Sequence, residues 1–416
     1  MNTLSNSKDK TAPWKTDNKF WLDLVGRSPP KTSSVANHQK DNVDARARVI
    51  KDGYYRQPAP VKFSGSVKAL KDIVEKLVEL EFPPSFALLF DEAYEVWAEY
   101  PLPSNFKNLT PTFDLLAFHV DPRKNASGFS PHRDRQPSSI RSSFDSDNQP
   151  KYLTRWISLS SACSESNSCL YVIPSHSDPG YYNDDDATSS TQLEYDGGVN
   201  PSILPLQVAL PTKESYQNIR ALPCTPGGSI LFSHRIIHWG SAGNPDTCVE
   251  PRVALSVVYS DPEFEKPYIK PSVYTWGGEF PEFRVRLILV CCQMLVYYQR
   301  FNLTASDVRM CYEVVNDSGD VLEEEYKKKV CVEFCKAVRE TGGVGMGDGE
   351  EEDSDEERML EEMLENEEAF EDEFDDYDDY DDFEEGEGGE GGEEDDVEED
   401  DFEEGLVGVP KRRKLK

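Results

Sequence analysis

Between Thr112 and Tyr259 the apolar residues come in short runs, and nothing between those runs has helical spacing. Thr112–Val120, Lys151–Ser160, Ser168–Ile173, Ser229–Ser233 and Arg252–Tyr259 are bounded by Pro, Gly, Asn and Ser, as strands and their turns are. A parallel sheet needs a helix in each crossover, so strands that follow one another without helices exclude a doubly wound sheet. An antiparallel sandwich or a closed jelly roll remains, and the chain is expected to be mainly β.

Helical periodicity appears only on the flanks. Val67, Leu70, Ile73, Leu77 and Leu80 recur at three- and four-residue steps after a candidate cap, Ser66, and Pro83-Pro84 ends that run. A second piece, Ser85 to about Tyr100, places Phe86, Phe90, Ala93 and Trp97 on one face. Phe280–Asn302, Ser306–Val315 and Glu323–Arg339 read as helices packed outside the sheet. Two long connections, Arg135–Pro150 and Ser177–Leu222, read as lids over a site or as surface insertions.

Charge divides the chain further. The net charge is −35, yet 36 of the 79 acidic residues fall in 348–404, where Arg358 is the one basic residue. Five of the 44 basic residues lie in the last twelve positions, which leaves 43 acids and 38 bases over residues 1–347. The expected organisation is therefore a disordered polar segment, 1–48, whose apolar cluster Phe20–Val25 can dock; a domain, 49–340, with a strand-rich core at about 104–265; and a disordered acidic tail, 341–416. Within the tail, 356–368 reads as a transient helix. The tail closes on a basic cluster, Lys411-Arg412-Arg413-Lys414-Leu415-Lys416, which reads either as the type that nuclear import receptors recognise or as a basic end that pairs with the preceding acids. Acidic tails repel nucleic-acid phosphate and attract basic proteins, so no nucleic acid is expected and the tail could take a basic protein partner.

Nine cysteines without CxxC spacing, and no secretory or C-terminal peroxisomal signal, point to a reducing nuclear or cytoplasmic compartment. The best membrane candidate, Val285–Tyr298, holds Arg286 and Gln293 and reads as a buried helix, so no membrane is expected.

Two pieces carry chemistry. His132-Arg133-Asp134 sets an imidazole and a carboxylate two residues apart, on one face of an extended strand. The triplet also spells a kinase catalytic loop, but the Asn required five residues after the Asp is Ser139, and the other kinase parts are missing. Further on, GGSILFSHRIIHWGS ends a hydrophobic run at His238, and Arg252 heads the strand that follows. Two histidines and one carboxylate on one face of an octahedron leave three positions open, as in non-haem Fe(II) oxygenases. An arginine heading so apolar a strand suits the far carboxylate of 2-oxoglutarate, although a plain strand-edge arginine would look the same.

These blocks, in order, resemble the phytanoyl-CoA dioxygenase-like family. His132-Arg133-Asp134 is followed by Arg155-Trp156-Ile157-Ser158-Leu159, then Leu170-Tyr171-Val172-Ile173-Pro174-Ser175-His176. After Pro226-Gly227-Gly228-Ser229 comes His234-Arg235-Ile236-Ile237-His238-Trp239-Gly240-Ser241, with Asn244 and Arg252. Lys51-Asp52-Gly53-Tyr54 also matches the family's usual beginning, and the likeness spans about residues 49–265. It implies a double-stranded β-helix (jelly-roll) core with His132, Asp134 and His238 as Fe(II) ligands. Arg252 then holds 2-oxoglutarate, with Ser241 as a weaker contact, and O2 is the oxidant. His234 is the rival third ligand, and His176 matches a turn histidine. The chain departs from the pattern where Gly is missing from the Pro-Ser-His turn, where Gly228 replaces an Asp, and where Trp239 precedes Gly240-Ser241. No 2-oxoglutarate contact can be placed on the early strand. A retained Asp134 implies hydroxylation of an unactivated C–H, with release of succinate and CO2, where halogenases of the family carry a small residue. The substrate is expected to be a small or acyl molecule. The competing reading is a catalytically silent scaffold whose acidic tail binds basic proteins.

Overall fold

The computed structural model describes residues 17–28, 43–59, 65–183 and 205–340, apart from Asn125, Ser127, Ser138, Ser164 and Asn302. Among the described residues two helices precede the first strand: α1 (Asn18–Leu24) and α2 (Val43–Asp52). α1 covers most of the apolar cluster expected to dock, whereas α2 begins before residue 49, where order is expected to start. Asp17 caps α1 by accepting from the Lys19 backbone N–H, and Trp21 is fully buried against Phe82 and Phe86. Ala45 and Val49 of α2 are buried as well. Gly53, at φ +82, turns the end of α2 into β1 (Tyr54–Gln57), a left-handed conformation that glycine adopts at little cost.

α3 (Gly65–Glu79) follows the expected periodicity, burying Val67, Leu70, Ile73 and Leu77. Ser66 lies inside that helix and gives its hydroxyl to Glu95, so it is not the cap. The second helical piece is two: a 3-10 turn, Pro84–Leu89, then α4 (Asp91–Ala98), with Phe90 extended between them. β2 (Thr110–Val120) comes next and is kinked by a register shift between Pro111 and Leu115, where Phe113 sits at φ +68. It is followed by β3 (Tyr152–Ser158), β4 (Leu170–Val172), a short α5 (Pro205–Ala209), β5 (Arg220–Leu222), β6 (Ser229–Ser233), β7 (His238–Gly240) and β8 (Arg252–Ser260). α6 (Phe283–Val296), α7 (Ala305–Asn316) and α8 (Glu324–Glu340) complete the described chain. A capping box between Thr304 and Asp307 starts α7.

All strand pairs are antiparallel. Five strands run in the order β1-β6-β3-β8-β2 and three in the order β5-β4-β7. The two-residue period of a strand sorts the larger sheet into faces. Val253, Leu255, Val257 and Tyr259 of β8, Ile157 of β3 and Leu115 and Ala117 of β2 pack with α3, α4 and α6 in the main core. On the opposite face, Trp156, Ala254, Ile230 and Phe232 form a second cluster with Leu170, Val172 and Leu222 of the smaller sheet. The larger sheet is thus covered by helices on one side and by the smaller sheet on the other. The functional candidates face that second cluster.

No described helix is long and apolar enough to cross a membrane, and all nine cysteines are free. The acidic tail, its transient helix and its basic end lie outside the described residues.

Candidate metal centre

Residues 129–134 run antiparallel to the segment that carries β7 and extend the smaller sheet. His132 and His238 exchange backbone hydrogen bonds at 3.1 and 3.0 Å, Gly240 N–H donates to the Phe129 carbonyl at 3.2 Å, and Asp134 N–H to the His234 carbonyl at 3.0 Å. Alternation along this strand sends His132 and Asp134 to one side and Arg133 and Arg135 to the other. The outer pair is anchored. Arg133 is wholly buried and grips both oxygens of Asp178, at 2.6 and 3.1 Å. Arg135 grips both oxygens of Glu265, at 2.8 and 3.0 Å, and lies over the Tyr152 ring. Planar two-point arginine–carboxylate pairs fix orientation as well as position.

On the inner side His132, Asp134 and His238 converge, with one donor atom of each lying within 4.8 Å of the others. Asp134 Oδ1 stands 3.4 Å from His238 Nε2 and 3.6 Å from His132 Nε2. Two ligands each about 2.1 Å from a shared ion lie about 3.0–3.4 Å apart at octahedral to tetrahedral angles, so the trio needs little movement to share one. The outer nitrogens are spoken for: His132 Nδ1 contacts the Ser130 carbonyl at 2.7 Å and His238 Nδ1 the Ile236 carbonyl at 3.2 Å. A carbonyl only accepts, so each Nδ1 carries the proton and each Nε2 offers a lone pair to the centre. Thr154 of β3 donates its hydroxyl to Asp134 Oδ2 at 2.5 Å.

Electrostatics favour the same state at His238 and an ionised Asp134. Burial drives His238 down to about 4, against the pull of Asp134, so it is neutral near pH 7. Burial works to raise the Asp134 carboxyl, but His238, His132 and the Thr154 hydroxyl outweigh it and hold it below the usual carboxylate range. Neutral imidazoles and an ionised carboxylate are what a divalent first-row metal requires.

Arg252 heads β8 on the inner face and is 4% exposed. Its Nη1 donates to the Asn167 carbonyl at 3.2 Å and the Ser241 carbonyl at 3.4 Å, and among the described residues no carboxylate pairs with it. Burial without a counter-ion pulls it down to about 10. The guanidinium packs against bare backbone, since a Cβ on Gly128 or Gly240 would come within 2.7 Å of Nη2. Beside it the Ser241 and Ser168 hydroxyls meet at 2.8 Å, and Ser168 is held at φ +66.

His234 and His176 stand apart from the trio. His234 is fully buried with Nδ1 at the Tyr152 carbonyl, and its ring lies among Phe144, Tyr152 and Phe264. His176 is exposed, 3.8 Å from Asp52. Three further participants escape sequence reasoning: Thr154, Ser168 and Phe129, whose ring is 5.5 Å from that of His132. Phe118 meets Phe129 edge-on, and the Arg300 guanidinium lies over it. A Thr on the inner face of a strand otherwise flanked by large residues is the one available sign for Thr154. Ser168 and Phe129 have no signal of spacing.

No family model and no curated protein match the chain. Several solved structures resemble it. The non-haem alpha-ketoglutarate-dependent carbocyclase SnoK from nogalamycin biosynthesis is 17% identical over 56% of this chain and 88% of its own, with a TM-score of 0.35. EctD from S. alaskensis, solved with 2-oxoglutarate and 5-hydroxyectoine, is 15% identical over 60% and 86%, with a TM-score of 0.32. The non-haem monooxygenase ThoJ, solved as a nickel complex, is 11% identical over 66% and 100%, with a TM-score of 0.34. Overlaps of that size carry no weight for function, which has to be read from the donor set and its surroundings.

Proposed function

We propose that this chain is an Fe(II)- and 2-oxoglutarate-dependent oxygenase on a jelly-roll core, of the phytanoyl-CoA dioxygenase-like type, that hydroxylates an unactivated C–H of a small or acyl substrate. The observation that carries the reading is the coincidence of two features. A His132/Asp134/His238 donor set has its lone pairs turned inward, and a buried arginine with no counter-ion among the described residues packs against Gly240, two residues from His238. The donor set by itself suits several divalent metals, and the arginine by itself suits any small anion. Together they supply a metal seat and a receptor for a carboxylate, as a keto-acid co-substrate demands.

Bound iron and 2-oxoglutarate would supply the oxidising chemistry, with succinate and CO2 as co-products. The chain's own residues bind, orient and exclude water. His132, Asp134 and His238 would hold the ion through three donors and leave its other positions to co-substrate and O2. Arg252 takes the far carboxylate of 2-oxoglutarate, which returns a counter-ion to a guanidinium that lacks one. The Ser241 and Ser168 hydroxyls stand where they can add hydrogen bonds to that carboxylate. Phe232, whose ring is 4.5 Å from that of His238, and Phe118 and Phe129 on the His132 side make the walls apolar. Such walls suit a C–H bond better than a charged reaction centre. An ionised carboxylate at Asp134, where halogenases of this type carry a small residue, favours hydroxylation.

The test is an anaerobic titration of the full chain with Fe(II) and 2-oxoglutarate, read by the visible metal-to-ligand charge-transfer band. The wild type should show the band, His132→Ala should lose it, and Arg252→Ala should need far more 2-oxoglutarate to develop it. A folded wild type that shows no band refutes the proposal.

A further inference from the structure

β3 turns Thr154 and Trp156 to the inner side of the larger sheet. Thr154 lies between Phe232 of β6 and Val258 of β8, paired through its backbone with both strands, and is 7% exposed. Its backbone groups are committed to those ladders, and its neighbours in register are apolar. A hydroxyl so placed costs stability unless a particular acceptor is brought to it. The acceptor is Asp134 Oδ2, at 2.5 Å. A hydroxyl that donates to an ionised carboxylate makes a charge-assisted bond.

The consequence lies at the other carboxylate oxygen. With Oδ2 engaged by Thr154, Oδ1 is the oxygen that faces both imidazoles, 3.4 Å from His238 and 3.6 Å from His132. A carboxylate can ligate a metal through one oxygen or through two. An octahedral ion that takes one atom from each of three residues keeps three positions, enough for a two-point keto acid and O2. If Asp134 swung both oxygens onto the ion, two would remain, and a chelating keto acid would fill both.

We propose that Thr154 is a positioning residue that makes Asp134 a one-oxygen ligand and so keeps a coordination position free for O2. The proposal rests on the metal reading above and extends it from which residues bind to how many atoms they bind with. Thr154 itself touches neither metal nor co-substrate. It acts through Asp134, and its β-branched shape suits the strand it sits in.

The test uses anaerobic Co(II) titration of the full chain, followed by the visible ligand-field bands, with unfolding of the metal-free protein measured alongside. Thr154→Val keeps the shape and removes the donor. It should weaken Co(II) binding about 10- to 100-fold, as loss of an outer partner of a metal ligand does, and alter the band pattern as the carboxylate changes its mode. Thr154→Ser retains the hydroxyl and should restore both. If the valine variant does not fold, Thr154→Ala removes the same donor and is read in the same way. Unchanged Co(II) affinity and an unchanged spectrum in a folded variant overturn the proposal, as does a loss of metal-free stability with neither of those effects. The metal reading is checked separately in the same series: Co(II) binding in the wild type that His132→Ala abolishes supports it whatever Thr154 does, and a wild type that binds no Co(II) removes both.

Discussion

Arg133 and Arg252 are buried to a similar degree, one on each side of the candidate metal centre, and they are treated in opposite ways. Arg133 closes a two-point pair with Asp178 at 2.6 and 3.1 Å, and Arg135 beside it does the same with Glu265. Arg252 is given two carbonyl oxygens and, among the described residues, no carboxylate. Removing a guanidinium from water costs several kcal/mol, which a well-placed carboxylate offsets and two carbonyls do not. The first arrangement holds the metal strand from behind. The second leaves a charge that something arriving later must neutralise, so the compensation of a buried arginine separates scaffold from receptor more reliably than its burial does.

The contrast can be broken most forcefully on the scaffold side. Arg133→Met strands a buried Asp178 carboxylate, and breaking such a pair costs about 3–5 kcal/mol. The urea midpoint of the metal-free protein should fall accordingly, and Arg133→Met combined with Asp178→Leu should recover most of the loss. Arg252→Met should do the reverse. Metal-free stability should hold or rise, while 2-oxoglutarate affinity falls by about 2–5 kcal/mol, roughly 30-fold or more. Arg252→Lys, which keeps the charge but not the fork, should fall in between. Should Arg252→Met destabilise the metal-free protein as much as Arg133→Met does, Arg252 is a second scaffold arginine, and the co-substrate assignment loses its main support.

That division also explains what is legible in the sequence. The strands Thr110–Val120, Tyr152–Ser158, Ser229–Ser233 and Arg252–Ser260 are visible there because each is long enough to show its pattern against helices on one face. β4, β5 and β7 are three residues each, too short for a period to register: β4 is visible only because an apolar run continues past it to Ile173, and β7 stands out only because it begins with His238. The break at Phe90 is hidden because apolar spacing continues across it while the backbone turns extended. His132, Asp134, His238 and Arg252 are recognisable by type and order. Their partners are not: Asp178 lies 45 positions from Arg133, Glu265 lies 130 from Arg135, and Thr154 lies 20 from Asp134. Ligands announce themselves by chemistry in one segment, whereas the groups that hold them are set by how distant segments fold together.

The weakest effect repeats the contrast in histidine. His234 and His238 are four residues apart, and burial drives both down, to about 3 and about 4. Only His238 turns its Nε2 toward Asp134. Between about pH 6.5 and 4 the unfolded chain binds protons at these two positions that the folded chain refuses, so the metal-free protein should lose stability as the pH falls through that window. Each histidine contributes at most about 1.4 kcal/mol per pH unit. His234→Phe suits a site already walled by Phe144, Tyr152 and Phe264, and it should remove about half of that slope while leaving Co(II) affinity at neutral pH unchanged. His238→Phe should flatten the slope equally and abolish Co(II) binding. If His234→Phe also abolishes Co(II) binding, the two histidines are not divided between scaffold and ligand as their surroundings indicate, because a ring held among three aromatic side chains can influence an ion only by reaching it.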